Sequence, residues 1–447
     1  MSSGGKTREP FVSRAPRLGF AGGLDGMRGI GVLAVMFGHA LNEYTESFAV
    51  WVDLFFVISG FLIATLLIQE HGRNEHIDVK KFYSRRAFRL LPSMWALFIF
   101  AFVIMALVDL SGGLDDHGKK VLLLPELLRE IAATATFTNH NFYPVGYGLV
   151  YAGKIPLVIF GHLWSLSIEE QFYLLIVPLM IFVLKRRERV RIAMGVFVVA
   201  AITIALCRYT AHPGPRLLWL QRPDGLLWGV LAAFVNAHLT EEFMVKHRKK
   251  FLAGATVGLL FIAVALTTSM GLIHKPLVKL THADPHAVGI AHWWFPIEPK
   301  ELGFKTNASW SDLSVMYWWR FGYTLCQVGA PLVVISLARY SDWWLSKFLS
   351  MKWFRWLGRM SYTLYIWHGF LYIITEPLKD GLGKGPLTVL RFIVTFAVCI
   401  PVHYKIERPM MNRKLKYASE KETVDVNTGK MVEVVDGHVE GTVPPPG

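Results

Sequence analysis

The sequence predicts an all-α, polytopic membrane helix bundle of about ten transmembrane helices with both termini cytoplasmic. Three observations carry that prediction. Of 447 residues, 53% are hydrophobic and 13% aromatic, and the mean hydropathy is +0.38. The apolar residues fall in blocks of about 20, the length that crosses a hydrocarbon core of ~30 Å as a helix. Basic residues collect in alternate loops, as the positive-inside rule requires of cytoplasmic connections.

Taken in order, the apolar windows centre near residues 24 to 42, 51 to 70, 90 to 109, 163 to 184, 191 to 208, 224 to 239, 251 to 270, 316 to 338, 360 to 377 and 386 to 404. Between them lie Lys6, Arg8, Arg14 and Arg17; Lys80, Lys81, Arg85, Arg86 and Arg89; "KRRERVR" at 185–191; "KHRKK" at 246–250; Lys347, Lys352, Arg355 and Arg359; and Arg408, Arg413, Lys414 and Lys416. The net charge of +14 is therefore topology. No base-stacking or nucleic-acid-binding motif accompanies it. The basic start followed by an apolar run mimics a signal peptide, but no small-residue cleavage site follows and Arg28 and His39 interrupt the run, so an uncleaved first span is expected.

The organisation expected is a loose cytoplasmic tail (1–20), a membrane domain (21–416), and an acidic cytoplasmic tail (417–447) too poor in apolar residues to fold alone. No internal repeat of the transporter kind is visible. Two outer loops are long. The first, about 110 to 162, holds "KKVLLLPELLREIAATA", an amphipathic piece suited to the membrane surface. The second, about 271 to 315, is rich in His, Trp, Pro and Lys and reads as an ordered lid or acceptor site. Cys207, Cys326 and Cys399 lie in or beside apolar spans without metal or disulfide spacing, and read as small core residues.

The first span, "LDGMRGIGVLAVMFGHA", carries the chemistry that packing does not explain. Arg28 and His39 are eleven residues apart. At ~100° per residue they fall about 20° from a whole number of turns, so they share one helix face, separated by roughly 16 Å along the axis. Charged groups at such depth cost a few kcal/mol and face a bundle interior or a wet cavity. The bland alternative is an arginine that snorkels to the headgroups and a hydrogen-bonded interior histidine. Arg86 and Arg89, three apart in "KKFYSRRAFRLLP", share a face and form a forked phosphate grip beside Arg28, or simply mark topology. Opposite in height to these arginines, "GHLWSLSIEEQFYLLIVP" begins the fourth span from the outside, and its adjacent Glu169 and Glu170 are hard to explain as packing unless one simply points to water.

Together these blocks resemble the acyltransferase family 3 membrane proteins. "LDGMRGIGVLAVMFGHA" is similar to the family's arginine-ten-histidine motif. "VDLFFVISGFLIATLL", "RRAFRLLP", "LWSLSIEEQFYLLIVP", "RPDGLLWGVLAA", "LGRMSYTLYIWHGFL" and "IERPMMNR" look like the succeeding blocks in family order, over residues about 20 to 412. The chain resembles the stand-alone form, without the fused extracytoplasmic hydrolase-like domain of some members.

The resemblance implies transfer of an acyl group, commonly acetyl, from cytoplasmic acyl-CoA to a hydroxyl of a glycan, glycolipid or other small acceptor, in a bacterial inner or plasma membrane. Envelope glycolipids, cell-wall sugars and macrolide-like antibiotics are all acceptors of that kind, and envelope-export proteins are partners of that setting. Arg28, Arg86 and Arg89 would hold the CoA phosphates. His39 has the ordinary pKa of a general base, and the family motif gives it that place. Glu169, with Glu170 behind it, would orient the imidazole or the acceptor, as an acid does in a catalytic triad. No Ser or Cys stands in a nucleophile context, so direct transfer is expected.

Asp53, at the outer start of the second span, is expected to meet the acceptor or to start its helix, and Arg222 and Asp224, at the outer end of the sixth, to form an ion pair or meet the acceptor. Ser59, beside Gly60, reads as a small packing residue. His368 in "YIWHGF" reads as a satisfied core histidine before a catalytic one. His282, Asp284 and His286 in "THADPH" have metal-ligand spacing, but a proline-containing loop is a poor cage, and no metal is expected. Asn307 heads a glycosylation sequon by pattern only, and the "GGLDGMRG" glycines follow no strand, which removes a dinucleotide site. Two other readings use the same residues: a proton-coupled transporter of a small anionic or sugar-like solute, built on intramembrane Arg, His and Glu, and a non-catalytic partner in an envelope complex.

Overall fold

In a computed structural model, residues 9–19, 21–41, 50–112, 114–116, 119–121, 123–139, 159–210, 222–269, 310–413, 422–424, 431–435 and 438–442 are described. The "THADPH" residues, the Asn307 sequon and most of the second outer loop lie outside them. Eleven of the helices carry the argument: α1 (Gly22–Leu41), α2 (Val50–Asn74), α3 (Val79–Leu110), α4 (Leu124–Ala135), α5 (Trp164–Leu184), α6 (Arg187–Thr210), α7 (Asp224–His238), α8 (Arg248–Ser269), α9 (Trp310–Arg339), α10 (Lys352–Thr375) and α11 (Lys384–Val402).

Each apolar window holds a helix among its described residues, and the protein is a multi-pass helical membrane protein. Among the described residues seven helices are long and apolar enough to cross a membrane, in α1, α2, α3, α5, α6, α8 and α11. α7, α9 and α10 occupy the other three windows. As described, α7 has 15 residues, about 22 Å at 1.5 Å per residue, and does not cross a ~30 Å core alone. Short antiparallel strands also occur. Leu114–Asp116 pairs with Lys119–Val121 after α3, and Glu422–Val424, Met431–Val435 and His438–Thr442 form a small meander in the tail.

The ends of the helices explain much of the local geometry. Asp78 caps α3 by accepting the Lys81 N–H at 2.9 Å. That hydrogen bond, with the Lys81 charge nearby, holds its carboxyl below the usual value. Residues 9–19, expected to be loose, are tied down instead. Phe11 N–H donates to Leu184 O at 3.0 Å and Arg14 N–H to Ala237 O at 2.7 Å. The last carbonyls of α5 and α7 have no partner within their own helices, and the tail supplies one.

Two apolar cores divide the bundle. One is built mainly from α2, α5, α6, α7 and α9, the other from α3, α4, α10 and α11, and α1 contributes to both, with Val35 in the first and Val32 and Met36 in the second. α1 lies against α10 at backbone contact. A Cβ on Gly26 would overlap the Leu349 carbonyl before α10, and one on Gly358 would overlap the Asp25 carbonyl of α1. α2 meets α7 in the same way at Gly60 and Gly229, with Ser59 alongside. Cys326 and Cys399 are buried free thiols, as expected of core residues.

Candidate active site

The polar residues gather at the seam where α1, α5 and α10 meet, and they form two layers.

The first layer surrounds the second turn of α1. Arg28 lies within electrostatic reach of Asp25, Arg89, Glu169 and Tyr173, and Asp25 within reach of Arg89, Arg355 and Arg359. Arg86 reaches across from α3 to α5, making a two-nitrogen ion pair with Glu170 whose Nε arm is 3.4 Å long. Its guanidinium lies 3.7 Å over the Tyr173 ring, and the Tyr173 hydroxyl donates to Glu169. Arginines and glutamates expected at opposite heights thus meet directly. α3 has 32 residues, about 48 Å of helix, and Arg86 stands seven residues into it, roughly 10 Å along the axis. Arg28, Arg86, Arg89, Glu169 and Glu170 therefore belong to one cluster, joined by Asp25, Tyr173, Arg355 and Arg359, which sequence reasoning did not single out.

The second layer surrounds His39 near the C-terminal end of α1. Its ring partner is not Glu169 but His368 of α10, with His39 Nδ1 2.8 Å from His368 Nε2. His368 Nδ1 lies 3.1 Å from the Leu364 carbonyl one turn back. A third imidazole, His162, sits 4.8 Å from the His368 ring and 6.5 Å from that of His39, centroid to centroid. Its Nε2 donates to Ile366 O at 3.2 Å. Tyr365 closes the group. Its hydroxyl donates to the His162 carbonyl, so Ser165 Oγ, 2.6 Å away, must donate to it.

The folding of this layer is traceable to particular contacts. His162 occupies a short 3₁₀ turn, Gly161–Leu163, before α5. Its close approach to α10 needs Gly369, where a Cβ would meet the imidazole. The amphipathic α4 anchors the residues just before it, beyond any role at a membrane surface. Fully buried Glu130 accepts Ile159 N–H at 2.9 Å and Phe160 N–H at 2.6 Å, and Asn139 donates to Phe160 O at 3.0 Å. The last turn of α1 is held from α11. Arg391 Nη1 donates to Ala40 O at 2.9 Å and Nη2 to Tyr372 O at 3.3 Å, while Tyr372 donates to Met36 O at 3.3 Å.

The residues expected at the outer helix ends form a separate, buried group. Arg222 Nη2 donates to Asp53 Oδ2 at 2.9 Å and Gln327 Nε2 to Asp53 Oδ1 at 2.6 Å. Arg222 also lies 3.7 Å over the Tyr323 ring. Asp53 and Arg222 are 0% and 1% exposed, and Asp224 is buried in the first turn of α7, where an acid suits the helix dipole. Arg222 thus pairs across helices with Asp53, a pairing the sequence did not suggest, and Asp53 takes a second hydrogen bond from Gln327.

The sequence profile of the acyltransferase domain family matches residues 22–404, which takes in both polar layers. The chain belongs to acyltransferase family 3. The O-acetyltransferase OatA of Staphylococcus aureus is 26% identical to this family member over 88% of its chain and 58% of the relative. The peptidoglycan O-acetyltransferase OatA of Listeria monocytogenes is 22% identical over 80% of the chain and 50% of the relative. The chain thus spans little more than half the length of the curated relatives it matches. No solved structure matches it. Among the described residues no group of His, Cys, Asp and Glu is arranged to hold a metal.

His162 and Tyr365 escaped the sequence reading because neither stands out in an apolar or aromatic run. A usable signal existed in the three-residue spacing of Tyr365 and His368, which puts both on one face of α10.

Proposed function

We propose that this family member is an O-acetyltransferase of the bacterial envelope, moving an acetyl group from cytoplasmic acetyl-CoA to a hydroxyl of a cell-wall glycan. The observation that carries the reading is His39, held at the C-terminal end of α1 in a nitrogen-to-nitrogen pair, eleven residues beyond Arg28, which shares its helix face and sits in the arginine cluster. The names of the relatives support the acetyl group and the peptidoglycan acceptor.

Arg28 and Arg89, with Arg355 and Arg359 around Asp25, are the cations suited to the donor's phosphates. Arg86 joins them by exchanging Glu170 for phosphate, which leaves Glu170 to balance the cluster. The roughly 16 Å between Arg28 and His39 suits a slim pantetheine arm carrying the thioester inward.

At the thioester the acceptor oxygen attacks the carbonyl carbon while its proton passes to His39. The C–S bond then breaks, and the thiolate leaves with that proton as CoA thiol. Glu169, engaged by Tyr173, acts in the lower layer rather than as the partner of His39, and Tyr365 connects the layers. Asp53, Arg222 and Asp224 shape the acceptor side by fixing α2 against α7 and α9.

The test is ester-linked acetate released by mild alkali from purified cell wall. A strain lacking this gene regains it with the wild-type gene and not with His39→Ala. Full restoration by His39→Ala sinks the assignment of the base, and unchanged acetate in the deletion strain sinks the activity.

A further inference from the structure

His368 is fully buried, yet among the described residues it makes the one ring contact of His39 that is a hydrogen bond. The proton count of that pair can be worked out from its neighbours. A carbonyl oxygen only accepts, so the 3.1 Å contact to Leu364 O places a proton on His368 Nδ1. In the neutral ring Nε2 is then a bare lone pair. His39 Nδ1 lies 2.8 Å from that lone pair, and two bare nitrogens would repel at this distance, so His39 Nδ1 carries the hydrogen. The rings are within 8° of parallel with centroids 5.1 Å apart, an edge-to-edge, nearly coplanar pair in which the N–H points along the lone pair. A neutral imidazole has one ring proton, so His39 Nε2 is left bare.

We propose that His368 is a positioning residue that fixes the tautomer of His39 through this contact and presents Nε2 as the proton acceptor. The inference rests on the reading of His39 as the general base. It gives His368 the place that a carboxylate holds in a catalytic triad, where the third member sets tautomer and orientation. When the acceptor hydroxyl gives its proton to Nε2, the positive charge is shared through Nδ1–H with the His368 lone pair, and His368 in turn leans on Leu364 O. His368 is fully buried whereas His39 keeps part of its surface open, so only His39 can meet a substrate. Tyr372 and Tyr365, with ring centroids 5.5 Å and 5.8 Å from His368, hold its plane.

Two measurements test this. In bilayers at about pH 8, where imidazole is neutral, solid-state NMR of protein labelled with ¹⁵N-histidine reads which ring nitrogen bears the proton, with His39→Gln and His368→Gln difference spectra giving the assignments. The expected result is a protonated Nδ1 and a bare Nε2 on His39; the opposite tautomer overturns the proposal. The second measurement follows acetyl transfer from acetyl-CoA to a muropeptide. His368→Gln, which places an acceptor oxygen near the lost Nε2, should stay within about tenfold of wild type in kcat. His368→Phe keeps a ring but no acceptor, and should lose at least about 100-fold, the lower range of general-base catalysis, with the KM for acetyl-CoA unchanged. Equal rates for the Gln and Phe variants refute the role. If His39→Ala stays active the base assignment fails, whereas an inactive His39→Ala beside a fully active His368→Phe defeats only the tautomer role. Should His368→Phe not yield a monodisperse protein, the wild-type tautomer decides alone.

Discussion

The buried pair between Asp53 and Arg222 offers a quantitative test of whether these residues serve the acceptor or the fold. In Asp53→Ala the Arg222 guanidinium, 1% exposed, loses the carboxylate 2.9 Å away, and the Gln327 amide loses its acceptor at 2.6 Å. Breaking one side of a buried ion pair costs about 3–5 kcal/mol because a desolvated charge is left behind. That is roughly two to three and a half powers of ten in the folding equilibrium. The exposed pair Arg248–Asp342, with side chains 40% and 58% exposed, provides the comparison, and Asp342→Ala should cost far less because solvent screens an exposed pair. Replacing both members, Asp53→Leu with Arg222→Met, should recover most of the loss, since a buried pair and an apolar substitute of similar volume are often equivalent. The assay is resistance to unfolding in detergent micelles across a denaturant series, run beside acetyl transfer at varied acceptor concentration. If Asp53→Ala keeps wild-type stability while the acceptor KM rises, the structural reading is wrong and Asp53 contacts the acceptor.

Other perturbations separate positioning from chemistry. Gly369→Ala sets a methyl group against the His162 ring, and overpacking of this kind costs about 1–3 kcal/mol; acetyl transfer should fall more than acetyl-CoA binding, measured by isothermal titration. Glu130→Ala strands two buried backbone N–H groups at Ile159 and Phe160, at about 1.5–3 kcal/mol for each charged hydrogen bond, so proteolysis should begin ahead of α5. Asp78→Ala removes the α3 cap and should cost about 1 kcal/mol. The folded-state pKa of Asp78 is depressed, so its contribution is present above the unfolded carboxylate pKa and is lost as pH falls through the folded value. The stability gap between wild type and Asp78→Ala should therefore close in acid, and a gap that persists there refutes the cap's ionic character.

What the amino-acid order determined by itself was whatever depends on neighbours along the chain. Helix positions followed from apolar blocks of span length, and the common face of Arg28 and His39 followed from an eleven-residue spacing on one rigid helix. The family was legible for the same reason, since its motifs are short and contiguous. The partner of His39 was not, because His368 lies 329 residues away and is brought in by contacts between α1 and α10 that glycines permit and that no local pattern encodes. Asp53, read as a helix-start or acceptor residue, and Arg222, read as a partner of Asp224 or of the acceptor, pair with each other for a related reason. Burial and pairing are properties of packed helices, and only the tertiary structure decides which charged side chains face one another.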